Sequence, residues 1–147
     1  MSPFKPTTVE VRLPSRMGFE KVAMSTASAV ATLMGFHQDR IEDLKTAVSE
    51  ACINAIEHGN RLNEDCSVNV VLSAGADELE VKVIDSGKGM QHMPPKPDID
   101  RKIHGDEEPR GMGVFLIQAL VDEAEWVKGT NGNCSYVRLV IRLRKDD

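Results

Sequence analysis

Cysteine is scarce: Cys52, Cys66 and Cys134 are the only three, odd in number and far apart. They make no CxxC pair and no zinc spacing, so neither a disulfide framework nor a structural zinc site is expected. The four histidines, His37, His58, His92 and His104, are likewise scattered without metal-ligand spacing. No run approaches the roughly 20 apolar residues that cross a bilayer. The opening MSPFKPTTVEVRL has no apolar stretch leading to a small-residue cleavage site, so no signal peptide is expected and the cytoplasm is the expected compartment. A surplus of positive charge is also missing, since 18 Lys and Arg face 23 Asp and Glu for a net charge of −5. A nucleic-acid binder needs a basic stripe to neutralise phosphates, so no direct nucleic-acid partner is expected, and no membrane partner either. A nucleotide site survives these exclusions, because it needs only local donors and one metal ion.

The standard nucleotide signatures are absent as well. There is no GxxxxGK[ST] phosphate loop. The run G-K-G-M-Q-H lacks the third glycine and the following helix of a dinucleotide fingerprint. The V-A-I-K, H-R-D and D-F-G set of eukaryotic-type kinases is missing.

What remains is an ordinary globular composition, 41% hydrophobic and 28% charged, in a chain sized for one domain, 1–147. V-E-V-R-L at 9–13 alternates as a half-buried strand. Helical spacing runs from about Phe19 to Met34, where Gly35 supplies a stop, and again from about Asp39 to His58 before Gly59-Asn60. In the second helix Ile41, Leu44, Val48, Cys52 and Ala55 form one apolar stripe. Strands are predicted at 67–72 and 78–85, then a long charged, proline-rich loop from Met90 to Arg110. A helix from about Met112 to Asp122 and strands near 124–128 and 135–143 close the chain. Met112 and Phe115, three residues apart, are expected in the core. The order β-α-α-β-β-loop-α-β-β predicts an α+β fold: a two-layer sandwich, its mixed, mostly antiparallel sheet covered on one face by helices.

Three segments carry candidate chemistry. In S-E-A-C-I-N-A-I-E-H-G, residues 49–59, Glu50, Asn54 and Glu57 share one side of the helix. The Asn54 carboxamide suits a hard cation and Glu50 suits a proton acceptor, although the same pattern also reads as a solvated polar face. V-I-D-S-G-K-G-M, residues 83–90, ends a strand in an acid followed by two glycines. Asp85 could there select the exocyclic amine of adenine while Gly87 and Gly89 let backbone pass close; a tight turn is the competing reading. In R-G-M-G-V-F-L-I, residues 110–117, a glycine pair at a helix start suits phosphate, or merely a flexible junction.

Taken in this order, the three segments resemble the N, G1 and G2 boxes of the Bergerat ATP-binding superfamily, which includes gyrase, the large heat-shock chaperone, mismatch-repair ATPases and histidine kinases. The flanking I-E-D-L-K-T-A-V-S-E-A and V-D-E-A-E-W resemble its branch of anti-sigma factors that are also serine-protein kinases. The likeness runs from about Val9 to Leu143. It implies a histidine-kinase-like ATPase domain that uses ATP and Mg2+, with an ATP lid over about 90–111. Glu50 is then the general base and Asn54 the magnesium ligand. Asp85 reads adenine beside Gly87, Gly89 and Met90, and Arg110, Gly111, Met112 and Gly113 line the triphosphate. The family's Gly-Thr pair before the last strand is replaced by Cys134-Ser135, and the Ser135 hydroxyl is expected to keep the bond that supports Asp85. The implied activity is phosphorylation of a serine on an anti-sigma-factor antagonist, in a protein that also holds a sigma factor. A homodimer through the edge strand is compatible. The alternative is a non-catalytic, ATP-gated protein-binding module. A histidine-kinase fragment is disfavoured, since no dimerising helical hairpin with a phosphoacceptor histidine precedes the second helix.

Overall fold

Alternation in the strands and three-to-four spacing in the helices place one apolar face of each element inward. The computed structural model describes residues 5–60, 62–86, 109–129 and 134–144, except the side chains of 109–112. Strand β1 (Thr7–Pro14) leads into α1 (Glu20–Met34) and α2 (Gln38–Asn54). A π-helical turn (Ala55–Gly59) then precedes β2 (Ser67–Ala74) and β3 (Glu78–Ile84). Helix α3 (Pro109–Leu120) and strands β4 (Glu123–Val127) and β5 (Tyr136–Arg142) follow. The sheet order is β1-β2-β3-β5-β4, and all four pairings are antiparallel. The parallel component allowed by a mixed sheet is therefore not found among the described residues.

The register sorts the two faces. Val70, Val83 and Val137 are aligned across β2, β3 and β5, as are Leu72, Val81 and Leu139, and all are buried against the helices. On α1, Ala23, Ala27 and Ala31 recur every fourth residue and are fully buried, so small side chains let α1 sit close to α2. The stripe Ile41, Leu44, Val48, Cys52 and Ala55 lies in the core as read. Cys52 is part of that apolar layer: burial, with a smaller contribution from the charge of Glu20, pushes its thiol up to about 12, which removes it as a nucleophile.

Three expectations need correction. Helix α3 begins at Pro109 rather than near Met112, since proline lacks only an N–H that a first turn leaves unused. Residues 109–111, expected at the end of a lid, lie in the first turn of this helix. The α-helix expected to reach His58 ends at Asn54, and the wider π turn follows, closed by Asn60 N–H to Ala55 O at 2.7 Å. Phe115 is 38% exposed, because Val114 and Ile117 take the core line and Phe115 lies about 100° away from Val114. The side chain of Met112 lies outside the described residues.

On the open face of the sheet, Val140 is fully buried although its cross-strand neighbours are Glu80 and Glu123. Arg138 bridges those two acids and Arg142 pairs with Glu123 and Glu78, so the aliphatic stems of these long side chains cover the valine. Beyond them, Lys82 Nζ stands 5.2 Å from the Tyr136 ring centroid.

A second charged cluster fixes the edge next to α3. Asp122 accepts from the Arg142 N–H at 2.6 Å, from Arg40 at 2.7 Å and from Arg144 at 2.7 Å. Burial raises the Asp122 pKa, but the Arg142 hydrogen bond, then the hydrogen bond and charge of Arg40 and the charge of Arg144, outweigh it and hold the carboxyl below its ordinary value. A carboxyl with a depressed folded-state pKa stabilises above its unfolded value, near pH 3.9, and loses that stabilisation as pH falls through the folded value. Asp122→Asn is expected to cost roughly 3 kcal/mol in urea melts at pH 7, because it leaves the largely buried Arg40 short of a charge, while the exposed Arg144 loses little. The gap from wild type is expected to close progressively below about pH 4.

Candidate nucleotide site

The site begins where α2 gives way to the π turn. Asn54 is the last α-helical residue, 8% exposed, and its side-chain nitrogen is buried without a hydrogen-bond partner. Such an orphan costs stability unless something outside the chain supplies the acceptor. Glu50 lies one turn earlier and is partly exposed.

Helix α3 meets these two residues at Gly113. A Cβ placed there would stand 2.9 Å from Oε2 of Glu50 and 3.7 and 3.8 Å from the Asn54 amide nitrogen and oxygen. A side chain there would have to displace the Glu50 carboxylate, so glycine lets α3 lie against both side chains as they stand. First-turn amides of a helix have no intrahelical acceptor. In α3 they precede Gly113 and Pro109 supplies none, so the contact sets the remaining free N–H groups about one turn from a carboxylate and a carboxamide. Donors for anionic oxygens, a neutral oxygen for a hard cation and a proton acceptor thus converge, which is a set that fits a magnesium-bound triphosphate.

Asp85 forms the other end. It is 5% exposed, and its N–H donates to the Ser135 carbonyl at 3.0 Å. The Ser135 hydroxyl, expected to support Asp85, accepts from the Gly129 N–H at 2.9 Å, and the Ser135 carbonyl ties the residue before β5 to the Asp85 main chain. Gly59, at the end of the π turn, lies against the carboxyl: a Cβ on it would stand 2.8 Å from Cγ and 2.9 Å from Cβ of Asp85.

The structure thus brings together Glu50, Asn54 and Gly113, and separately Asp85 with Ser135. Gly87, Gly89 and Met90 lie outside the described residues, and Arg110, Gly111 and Met112 are placed only as backbone in the first turn of α3. Glu57, read on the same side as Glu50, is exposed, because the π turn breaks the α-helical spacing that grouped them. Two contributors escaped the sequence reading: Gly59 as packing surface for Asp85, and Asn60, 1% exposed beside it. The pair G-N reads as a helix stop in sequence, and only the turn's proximity to β3 reveals more.

Residues 14–141 match the histidine kinase-like ATPase domain family. The serine-protein kinase RsbW of Bacillus licheniformis is 31% identical over 148 residues, covering 95% of this chain and 89% of that one. RsbW of Oceanobacillus iheyensis is 35% identical over 123 residues, 80% of this chain and 77% of its own. RsbW of Bacillus subtilis is 32% identical over 124 residues, 78% and 74% of the two chains. Among solved structures, the RsbU and RsbW domains of a Mycobacterium tuberculosis protein superpose with a TM-score of 0.66 at 22% identity. That match spans 97% of this chain and 33% of the longer one, and it bears on the fold. This chain therefore belongs to the histidine kinase-like ATPase domain family, among its serine-protein kinase RsbW members.

Proposed function

We propose that this chain is an ATP-dependent serine-protein kinase whose chemistry is carried by Glu50, Asn54 and the first turn of α3. The observation that carries the reading is the contact of Gly113 with both Glu50 and Asn54, at a point where the Asn54 amide nitrogen has no partner. In this reading the Asn54 amide faces magnesium and phosphate, and the first-turn amides of α3, with Gly111, Met112 and Arg110, hold the γ-phosphate. The metal's contribution when bound is neutralisation of phosphate charge. Glu50 accepts the proton of the attacking serine hydroxyl as the new O–P bond forms and the bond to the β-phosphate oxygen breaks. Asp85 selects adenine by accepting from its exocyclic amine, with Gly87, Gly89 and Met90 beside the base and Ser135 behind the acid.

The same proposal extends to a bacterial partner switch in the cytoplasm. The phosphorylated serine belongs to an anti-sigma-factor antagonist, and the unmodified antagonist competes with a sigma factor for this protein. No helix among the described residues is long and apolar enough to cross a membrane. Lys21 is exposed at the start of α1 for an acidic partner, whereas Arg16 stacks over Phe19 and pairs with Glu64 at 3.8 Å. A homodimer through the β1 edge belongs to the same proposal.

The test is incubation with Mg-ATP labelled at the γ-phosphate and the antagonist protein encoded beside it. Acid-stable label on a serine of the antagonist is expected. No label on the antagonist, with the protein shown to bind ATP, would contradict the kinase reading.

A further inference from the structure

Every polar atom of Asn60, the residue after Gly59, is used. Its main-chain N–H closes the π turn on Ala55 O, and its carbonyl accepts from the Asn63 N–H at 3.0 Å. The side-chain nitrogen donates to Ser15 Oγ and to the Ser67 carbonyl, both at 3.1 Å. The side-chain oxygen accepts from the Ser86 N–H at 2.9 Å and from the Ser86 hydroxyl at 2.7 Å. Ser67 O can only accept and the Ser86 N–H can only donate, so the position calls for a donor on one side and an acceptor on the other. A carboxamide meets that demand; a carboxylate would set a buried charge against a carbonyl.

The residue held in this way is the one directly after Asp85. Gly59, directly before Asn60, lies against the Asp85 carboxyl. Residues 59 and 60 therefore fix the acid from two directions: a surface against its side chain and two hydrogen bonds on the next residue. Ser15, at the other end of the amide, is fully buried and far from the acid in sequence.

We infer that Asn60 is a positioning residue for base recognition, acting through Ser86 to hold the Asp85 carboxylate where it reads the amine of adenine. The inference rests on the proposed role of Asp85. Loss of the amide releases the main chain at 85–86, so the acid samples positions from which it no longer distinguishes an amine from a carbonyl at the same place on the base. Ser15→Ala is the control, because it opens the same hydrogen-bonded hub on the side away from Ser86.

The experiment measures the affinities of Mg-ATP and Mg-ITP, whose base carries a carbonyl in place of the amine, for folded wild type and variants well below their melting temperatures. Asn60→Ala is expected to weaken ATP about tenfold and ITP hardly at all, so the ATP-over-ITP preference collapses. Ser86→Ala, which removes one of the two bonds and leaves the fold's core untouched, is expected to shift the preference the same way by about threefold. Ser15→Ala is expected to lower the melting temperature and keep the preference. If Asp85→Asn loses the preference while folded Asn60→Ala and Ser86→Ala keep it, Asn60 is a structural hub only and the inference is wrong. Should wild type and Asp85→Asn show the same ratio, the role of Asp85 itself fails, and this inference with it.

Discussion

Glu50→Gln is expected to lower the rate of serine phosphorylation by roughly 10²–10⁴-fold while leaving Mg-ATP affinity nearly unchanged. The substitution keeps the length and hydrogen-bonding shape of the side chain and removes only its capacity to take a proton. The carboxylate oxygen lies against Gly113, one turn into α3, 2.9 Å from where a Cβ would stand. A hydroxyl attacking a phosphate held by that turn would pass its proton to this oxygen. Phosphoryl transfer asks little covalent chemistry of a protein, so alignment and one base account for most of what the site must provide. Single-turnover transfer from labelled ATP measures the effect directly. Equal rates in wild type and Glu50→Gln would assign the phosphoryl transfer elsewhere. Signalling that survives the loss of transfer would favour an ATP-gated binding module, in which the nucleotide changes the surface and the carboxylate is incidental.

Asn54→Ala carries the second large effect, and it has an unusual thermodynamic signature. A buried side-chain nitrogen without a partner lowers the stability of the empty protein, so removing it is expected to leave the unliganded chain no less stable in a urea melt. The same change is expected to weaken Mg-ATP binding by roughly 10–100-fold, about 1.4–2.8 kcal/mol. Nearly all other truncations at such a depth destabilise the fold, typically by 1 kcal/mol or more. A residue that costs stability and supports ligand is the mark of a site held ready for something the chain itself does not contain.

Much of the architecture was readable from local pattern. The stripe on α2 and the alternation of β1 follow the sequence pattern, because burial on one face repeats with the period of the element itself, whereas β5 departs at Val140, which is buried on the opposite face. Gly35 caps α1 in the left-handed conformation, as a glycine after the last periodic residue suggests. The failures share a physical cause. Pro109 looked like loop because proline usually ends helices, yet here it opens one. Phe115 reads as core from its spacing to Met112, but the inward line is set by where α3 packs on α2, and Val114 with Ile117 occupy it. The π turn after Asn54 leaves no compositional mark, since A-I-E-H-G suits an α-helix equally well.

The site divides in the same way. Glu50, Asn54 and Asp85 stood out because their residue types are chemically distinctive and sit at element ends or on one helical face. Gly59 and Asn60 did not, because what they do depends on contacts across 26 to 45 residues of sequence. A glycine and an asparagine after a helix look like a stop signal until β3 is known to end beside them.

The most direct test of the account is calorimetric titration of ATP, with magnesium and with a chelator, into wild type and Asn54→Ala. Wild type is expected to bind Mg-ATP in the micromolar range, about −8 kcal/mol, and more weakly without the metal. Asn54→Ala is expected to bind weakly in both cases, with the dependence on magnesium gone. A wild type that binds no adenine nucleotide, or an Asn54→Ala variant that keeps the full magnesium dependence, would contradict a nucleotide site built on Glu50, Asn54 and the start of α3.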